Sequence, residues 1–285
     1  MRIATLRTAQ GHRAARIDSD VAYLLPWSDV AAVLTDAAAV GATWTDLVEA
    51  AEAVGSTPLT SVDFAPVIPR PGKIVCVGLN YAKHITEMGR ELPEFPTLFA
   101  KYPEALIGAR DSIIIPPESD AVDWEAELAL VIGTSVRRAD PERSEEAIAG
   151  FSIMNDVTMR DWQYRSPMWL QGKTFEASSP FGPVLVSPDE LPGGVRPRLD
   201  ISSILDGEVM QSSNTDDLVF DPPSLVAYVS TIMTLRPGDV IATGTPGGVG
   251  HAREPARYIT TGQTLTTKVS KIGELVNTAV AETLG

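Results

Sequence analysis

The sequence predicts an α+β fold rich in β-structure, a sandwich or roll of short strands with a small N-terminal subdomain. Beyond residue 70, short apolar runs are separated by Gly and Pro, a pattern typical of strands joined by tight turns. The first 70 residues differ, because two Ala-rich stretches with helical periodicity are followed by a proline-rich linker. We therefore predict a hairpin and two helices over residues 1–70 and a larger domain over residues 71–285. Within the larger domain we expect strands at residues 73–77, 112–115, 127–132, 184–186 and 240–242.

Composition and charge exclude several classes of partner and of metal site. The 285 residues include 23 basic and 37 acidic side chains, a net charge of −14, which argues against nucleic acid and against an anionic membrane surface as partners. The single cysteine, Cys76, excludes an internal disulfide and a cysteine-rich zinc site. The sequence has no 18-residue apolar run and no signal peptide pattern, so we expect a cytoplasmic protein. A small anionic substrate remains compatible with this charge, since a few converging cations can hold a carboxylate.

An acidic strand provides the first candidate site. Side-chain alternation places Asp123, Glu125 and Glu127 on the same face as Ala129 and Val131. One alternative is a solvent-exposed acidic face, but the two apolar residues indicate that this face points inward. Buried carboxylates without a counter-charge are strongly unfavourable, and a hard divalent cation removes that cost. Ligands that are all oxygen suit Mg²⁺ or Mn²⁺.

Three further segments supply partners for such an ion. Asp156 follows an apolar run that reads as a strand, and Arg160 and Gln163 come one turn later, where both could face a ligand of the metal. Lys173 stands between small and aromatic neighbours, which makes an inward position plausible. The alternatives are a turn or helix cap at Asp156 and an ordinary surface position for Lys173.

The pair His84 and Glu87 is a candidate general base. The two residues are three apart and therefore neighbours on one face of a helix, where Glu87 could orient the imidazole and raise its basicity. Such a pair can activate water. The alternative is a surface pair without a catalytic role.

The glycine-rich run 244–250 is a candidate anion-binding loop. It lacks the Gly-Lys-Ser/Thr of a Walker loop and the helix that follows a dinucleotide fingerprint. Its backbone N–H groups and the Thr245 hydroxyl can still contact an anion.

Taken together, these segments resemble the fumarylacetoacetate hydrolase superfamily in its short prokaryotic form. The resemblance extends from about residue 71 to residue 250, and the motifs occur in the family's order. The motifs that carry it are Gly78-Leu79-Asn80-Tyr81 with His84 and Glu87, Asp123-Trp124-Glu125-Ala126-Glu127, Asn155-Asp156-Val157 with Arg160, Asp161 and Gln163, Gly172-Lys173-Thr174-Phe175, and Pro237-Gly238-Asp239 through Thr243-Gly244-Thr245-Pro246.

The resemblance implies a mixed β-roll with a metal at its mouth, and a homodimer. Its implied metal ligands are Glu125, Glu127 and Asp156, holding Mg²⁺ or Mn²⁺. It further implies catalytic roles for His84, Glu87 and Lys173, and substrate contacts by Tyr81, Arg160, Gln163 and Thr245.

The sequence departs from the family pattern at three places, none of which is a proposed metal ligand, and one of the three leaves the substrate open. Glu176 follows Lys-Thr-Phe where the family often has Asp, and the turn at 206–208 reads Asp-Gly-Glu instead of Asn-Gly-Glu. The family's Phe-x-Lys-Pro segment is one residue longer here, over residues 99–103, a change that could reshape the pocket.

The function that the resemblance implies is metal-dependent hydrolysis of a C–C bond in a 1,3-diketo acid, of the acylpyruvate type, through a metal-bound enolate. The alternative enzyme is a decarboxylase or isomerase of a 2-oxo dicarboxylate from aromatic catabolism, such as oxaloacetate or 2-hydroxyhepta-2,4-diene-1,7-dioate. A third possibility is a non-catalytic protein that binds its ligand through a metal. The presence of both His84 and Glu87 favours the hydrolase, because decarboxylation needs no activated water.

Overall fold

The computed structural model describes residues 1–87, 89 and 91–283, with Glu87 described by its backbone alone. Within these residues the chain forms nineteen strands: β1 (Arg2–Thr8), β2 (Gly11–Asp18), β3 (Val21–Leu24), β4 (Gly55–Pro58), β5 (Asp63–Phe64), β6 (Ile74–Gly78), β7 (Thr97–Lys101), β8 (Leu106–Ile107), β9 (Ile113–Ile115), β10 (Val122–Asp123), β11 (Ala126–Ile132), β12 (Ile148–Asn155), β13 (Thr158–Met159), β14 (Ser179–Val186), β15 (Asp200–Leu205), β16 (Glu208–Asn214), β17 (Val240–Ala242), β18 (Thr264–Val269) and β19 (Gly273–Ala281).

The helices begin at recognisable caps. Asp29 accepts a hydrogen bond from the N–H of Ala32 and Thr43 from that of Asp46, which satisfies donors that a helix start leaves unpaired. The α-helices of the described residues are α1 (Val30–Val40), α2 (Trp44–Ala50), α3 (Ala82–Glu87), α4 (Pro141–Glu146), α5 (Arg160–Gln163), α6 (Leu170–Lys173) and α7 (Pro222–Ile232). Short 3-10 helices occupy Leu59–Ser61, Pro103–Ala105, Pro188–Glu190, Thr215–Asp217 and Gly250–Ala252.

A mixed sheet of twelve strands forms the centre of the fold. Its order is β4-β3-β2-β1-β14-β12-β11-β17-β6-β7, with β5 paired to β1 and β8 to β14. Strand β11 runs antiparallel to β12 and β17, and β17 runs parallel to β6. The start of β11 therefore meets the ends of β12, β17 and β6. The residues just outside these strand ends gather at one edge, and this edge carries the candidate site.

Two further layers cover the two faces of this sheet. A second sheet, in the order β16-β15-β18-β19-β9, packs on one face. Leu128, Leu130 and Ile132 of β11 point into this interface, where they join a core with residues of α7 and of the second sheet. Ala129 and Val131 point to the other face, which α1 and α2 cover. The predicted alternation is thus present along β11, and both faces of this strand are buried.

The predicted fold class, a mixed, sheet-rich α+β structure, is confirmed. The five expected strands appear as β6, β9, β11, β14 and β17, and the two expected N-terminal helices as α1 and α2. The strands of the first 70 residues join the large sheet, where β1 pairs antiparallel with β14. The division into residues 1–70 and 71–285 stays a prediction. Among the described residues, no helix is both long and apolar enough to span a bilayer.

Candidate active site

Three buried carboxylates lie together at the edge where β11 begins and β12 ends. The pairing register sets Ala126 opposite Asn155, so the next residues outward, Glu125 and Asp156, become neighbours. The N–H of Asp156 donates to the carbonyl of Glu125 at 2.9 Å, and the N–H of Glu125 donates to the Asn155 side-chain oxygen at 2.9 Å. One carboxylate oxygen from each of Glu125, Glu127 and Asp156 lies within 4.8 Å of the others. The structure therefore brings together the three residues predicted as metal ligands.

Asp123, which the expected alternation grouped with Glu125 and Glu127, is not part of this carboxylate cluster. The strand is interrupted after Asp123, where β10 ends, and resumes at Ala126. Asp123 Oδ1 accepts hydrogen bonds from the N–H groups of Trp124 and Gly250, and Oδ2 accepts from the N–H of His251 and from Arg160 Nε. Its carboxylate thus anchors the loop after the glycine-rich run and the Arg160 guanidinium.

Two buried lysines compensate the negative charge of these carboxylates. Lys173 Nζ donates to Glu125 Oε2 at 2.7 Å and to Asp156 Oδ2 at 2.8 Å, and it lies 4.9 Å from the centre of the Phe99 ring. Lys101 Nζ lies 2.9 Å from Asp156 Oδ1. Lys173 is only 1% exposed, so the surface position that the sequence left open is wrong.

Arg160 and Gln163 form the adjoining part of the site. Arg160 Nη1 lies 2.7 Å from Glu125 Oε1 and donates to Gln163 Oε1 at 2.9 Å. Arg160 Nη2 is buried and donates no hydrogen bond to any described residue. Arg160 also lines the cavity, and Nη2 keeps a hydrogen-bonding capacity that no described residue uses.

Burial and neighbouring charge shift the pKa values of Glu127, Asp156 and Lys173 in different ways. Burial raises the pKa of Glu127 well above its ordinary value, and the negative charges of Asp156 and Glu125 raise it further. Burial also raises the pKa of Asp156, but Lys101 and Lys173 outweigh it and the net pKa is lowered. Burial lowers the pKa of Lys173, yet Asp156 and Glu125 raise it more, so this side chain stays an ammonium.

The donor set fits a hard divalent cation. Asp156 Oδ1 is buried and accepts no hydrogen bond from the described residues, although the Lys101 ammonium is close. Glu127 Oε2 accepts a hydrogen bond of 2.9 Å from the backbone N–H of Gly244. Oxygen ligands that are buried, closely spaced and incompletely compensated match the preferences of Mg²⁺ and Mn²⁺. The identity of the metal stays a prediction.

The position that donates to Glu127 requires a glycine. Its φ is +102°, a region that favours glycine, and a Cβ there would lie 2.9 Å from the carbonyl oxygen of Val77 and 3.0 Å from the Cβ of Asn80. Asn80 holds the same turn from the other side, because its side-chain nitrogen donates to the carbonyls of Thr243 and Phe220. The glycine-rich loop thus presents a donor to the acidic triad, consistent with the expectation that its N–H groups face the site.

A cavity of about 280 Å³ opens beside the acidic triad. Phe99, Trp169 and Leu79 provide its apolar wall. The cavity is small beside the 300–1,000 Å³ typical of drug-sized ligands, which indicates a compact substrate. Its polar lining residues are Glu125, Glu127, Arg160, Gln163, Lys173, Thr245, His84 and His251.

Thr245 is oriented as a donor toward this cavity. Gln211 Nε2 donates to Thr245 Oγ1 at 2.8 Å, while Gln211 Oε1 accepts from the N–H of Ala126 and from Ser203. The orientation of the Gln211 amide is therefore determined, and the hydroxyl hydrogen of Thr245 is left for a ligand. Its predicted substrate contact agrees with this geometry and stays a prediction.

The other predicted contacts lie on or near α3. His84 is half-buried and lines the cavity, while the Glu87 side chain lies outside the described residues. Tyr81 does not line this cavity. It is 1% exposed, and its hydroxyl makes no hydrogen bond to a described residue. The structure thus gives its predicted substrate contact no support.

Sequence reasoning missed two polar residues. Lys101 belongs to the segment noted as one residue longer than usual, and that segment was the signal for it. The extra residue, Tyr102, is 54% exposed, so the insertion is accommodated at the surface. His251 follows the glycine-rich loop and gave no signal of its own, because nothing in the sequence shows that Asp123 holds its backbone at the cavity.

Comparisons with known proteins agree with this site. The family model for the C-terminal domain of fumarylacetoacetate (FAA) hydrolase matches residues 73–280. Oxaloacetate tautomerase Fahd2a, mitochondrial, from Rattus norvegicus is 42% identical over 224 residues, which are 78% of this chain and 71% of that protein. The fold and the buried acidic site define an enzyme of the fumarylacetoacetate hydrolase type. The chain belongs to the fumarylacetoacetate hydrolase family.

Two solved structures cover nearly the whole chain. The fumarylacetoacetate hydrolase of psychrophilic Exiguobacterium antarcticum is 31% identical with a TM-score of 0.86, and the match covers 99% of this chain and 100% of that chain. The 5-carboxymethyl-2-hydroxymuconate delta-isomerase from Mycobacterium smegmatis is also 31% identical, with a TM-score of 0.80 and the same coverage. The family therefore includes similar proteins named for isomerisation as well as for hydrolysis.

Proposed function

We propose that this chain is a divalent-cation-dependent isomerase that interconverts the keto and enol forms of a 2-oxo dicarboxylate such as oxaloacetate. The observation that carries the proposal is the Lys173 ammonium, buried between Glu125 and Asp156 beside a small cavity that Arg160 also lines, and Arg160 Nη2 has no hydrogen-bond partner among the described residues. The names of the similar tautomerase and isomerase support this choice over the hydrolase that the resemblance first implied.

Keto–enol exchange moves one proton and breaks no C–C bond. A base removes a proton from C3, negative charge develops on the oxygen at C2, and that oxygen is then protonated. The metal, when held by Glu125, Glu127 and Asp156, would supply Lewis-acid stabilisation of this oxygen. The chain's own residues have to bind the anion, exclude water and move the proton.

Lys173 is placed to stabilise the charge on oxygen. Its pKa is raised, so it remains a cation at neutral pH, and its position is fixed by two carboxylates before any substrate arrives. Preorganised donors of this kind are among the largest contributors to catalysis. Arg160 Nη2 and the Thr245 hydroxyl would bind a substrate carboxylate, with Gln163 holding the guanidinium through Nη1.

His84 is the proposed base for the C3 proton. It lines the cavity and is half-buried, and a neutral imidazole nitrogen can accept a proton. The same placement supports the second candidate, hydrolysis of an acylpyruvate, in which His84 would activate water. The two reactions differ in whether water reaches a distal carbonyl.

A substrate panel separates the candidates. The protein is assayed with Mg²⁺ and with Mn²⁺ on oxaloacetate, on acylpyruvates and on 2-hydroxyhepta-2,4-diene-1,7-dioate, with products identified by NMR. We expect faster keto–enol exchange of oxaloacetate without loss of carbon dioxide. Rapid cleavage of an acylpyruvate would favour the hydrolase, and pyruvate formed from oxaloacetate would favour the decarboxylase.

The remaining expectations belong to the same proposal. We propose Mg²⁺ or Mn²⁺ as the metal, a homodimer as the assembly, a role in aromatic catabolism and the cytoplasm as the location. Metal analysis of protein purified without chelators and light scattering in solution test the first two.

A further inference from the structure

A second imidazole, that of His251, lies at the exposed side of the active-site cavity. It lines the same cavity as Glu125 and Glu127, yet it is solvent-exposed, whereas these two carboxylates are buried. Its neighbour at this opening is Tyr164, which is 59% exposed. The cavity therefore has a buried acidic end and an opening with an imidazole.

The ring of His251 contacts two tyrosines. Its Nδ1 lies 3.0 Å from the Tyr258 hydroxyl, and its ring centre lies 6.5 Å from that of Tyr258 in a stacked arrangement. The Tyr164 ring centre lies 5.1 Å from that of His251. Because Nδ1 is occupied by Tyr258, Nε2 is the nitrogen that can meet a ligand.

The backbone of His251 is fixed relative to Arg160. Asp123 Oδ2 accepts from the His251 N–H at 2.9 Å and from Arg160 Nε at 2.8 Å, and Oδ1 accepts from the Gly250 N–H at 2.7 Å. One buried carboxylate therefore sets the spacing between the guanidinium deep in the cavity and the imidazole at its opening.

Charge determines where a second carboxylate of the substrate can go. Among the described residues, the buried group has four carboxylates (Asp123, Glu125, Glu127 and Asp156) and three cations (Lys101, Arg160 and Lys173). A divalent cation would leave this group with one positive charge, which is enough for one carboxylate of a dianion. The second carboxylate would then be favoured at the opening, where a donor is available.

We propose that His251, held by Tyr258 and Tyr164, binds the distal carboxylate of the substrate and so selects dicarboxylates over 2-oxo acids with an apolar tail. The inference deepens the proposed function and rests on it for the identity of the substrate. His251 acts here as a specificity-determining residue, and the proton transfer is left to His84.

The kinetic test compares oxaloacetate with phenylpyruvate, which also enolises but has an aromatic ring in place of the distal carboxylate. For His251→Ala we expect the KM for oxaloacetate to rise about ten- to a hundredfold, the usual effect of losing a hydrogen bond to a charged group. The kcat for oxaloacetate and the KM for phenylpyruvate should stay within about threefold. His251→Gln, which retains an N–H donor, should recover part of the loss, and Tyr258→Phe should show a smaller rise in the same KM.

The matched control is His12→Ala, which removes an exposed imidazole from β2 far along the chain from the site. Equal losses for both substrates in His251→Ala, or a loss confined to kcat, would overturn the proposal, because these results indicate a structural or catalytic role.

A binding measurement keeps this inference separate from the proposed function. Calorimetric titration with Mg²⁺ present compares malate with lactate, two unreactive 2-hydroxy acids that differ in the distal carboxylate. We expect the wild-type protein to prefer malate and His251→Ala to lose that preference. If the preference depends on His251 but oxaloacetate is not isomerised, the proposed function fails and the inference stands. If malate binds equally to both proteins, or to neither, the inference is wrong whatever the turnover.

Discussion

Lys173 donates a hydrogen bond to Asp156 at 2.8 Å, and both side chains are buried at the edge of the central sheet. The ammonium also contacts Glu125, so it lies between two of the three carboxylates that fit a metal. A divalent cation at this site would share Glu125 and Asp156 with Lys173. Removing the lysine should therefore lower turnover without lowering the affinity for the metal.

Lys173→Met is expected to lower the rate of enolisation about a hundredfold or more, as for the loss of one oxyanion donor. Its affinity for Mg²⁺ or Mn²⁺ should be unchanged or higher, because two carboxylates lose a competing cation. Calorimetry measures the affinity, and Lys268→Met, which removes a half-exposed lysine paired with Glu274, is the control. A variant with normal turnover, or one that has lost metal binding, would contradict this role.

Glu127→Gln tests the metal site through stability alone. The folded-state pKa of Glu127 lies above its ordinary value of 4.5, so its stabilising contribution is full below that value and is lost as pH rises through the folded pKa. In metal-free protein, the free energy of unfolding of Glu127→Gln should therefore exceed that of the wild type by more at pH 8 than at pH 5. Each pKa unit corresponds to about 1.4 kcal/mol.

Addition of metal should reverse the order of the two proteins. A saturating ligand at a hundred times its Kd stabilises the folded state by about 2.7 kcal/mol, and Glu127→Gln should lose most of this gain. Thermal melts with EDTA and with Mg²⁺ provide the measurement. An equal rise in Tm for both proteins would show that Glu127 holds no metal.

Asp123→Asn distinguishes an anchoring role from a metal-binding one. The charge of the buried ion pair with Arg160 is lost, so we expect a decrease of about 3 kcal/mol in the free energy of unfolding. The rise in Tm with Mg²⁺ should persist, since Asp123 is bonded to Arg160 and to two backbone N–H groups of residues 250–251. Asp120→Asn, at an exposed position, serves as the control. Loss of the metal response with unchanged stability would contradict the assignment.

His84→Ala should reduce enolisation by about 10²–10⁴, the usual contribution of general acid–base catalysis. Decarboxylation of oxaloacetate, where it occurs, should survive this change because it requires no base at C3. His12→Ala controls for loss of an exposed imidazole. Equal loss of both activities would indicate that His84 contacts the substrate without moving a proton.

The candidate site was predictable where local pattern determines it. Alternation over residues 123–131 identified Glu125 and Glu127, and Asp156 followed from the end of an apolar strand. The interruption after Asp123 was not predictable, because it depends on hydrogen bonds to Gly250 and His251, more than a hundred residues away. The fold class followed from the spacing of short apolar runs, whereas the joining of β1 to β14 depends on a pairing between distant segments.

Polar residues that only long-range packing brings into the site were harder to identify. The sequence drew attention to Lys101 only as part of a lengthened family segment. Its ion pair with Asp156 joins segments that are far apart in the sequence. Tyr81 shows the opposite case, because it belongs to a recognised motif but its side chain is buried in the core. The family motif therefore predicted that this segment lies near the site, but it did not predict which way the Tyr81 side chain points.

The most direct test follows the enol absorbance of oxaloacetate in a stopped-flow instrument, with the wild-type protein and Lys173→Met, each with Mg²⁺ and with EDTA. We expect rapid approach to the keto–enol equilibrium with the wild-type protein and Mg²⁺, without consumption of oxaloacetate. We also expect a rate lower by about a hundredfold in Lys173→Met. Relaxation of the wild-type sample at the uncatalysed rate with Mg²⁺ present, or equal rates for the two proteins, would contradict the proposed isomerase.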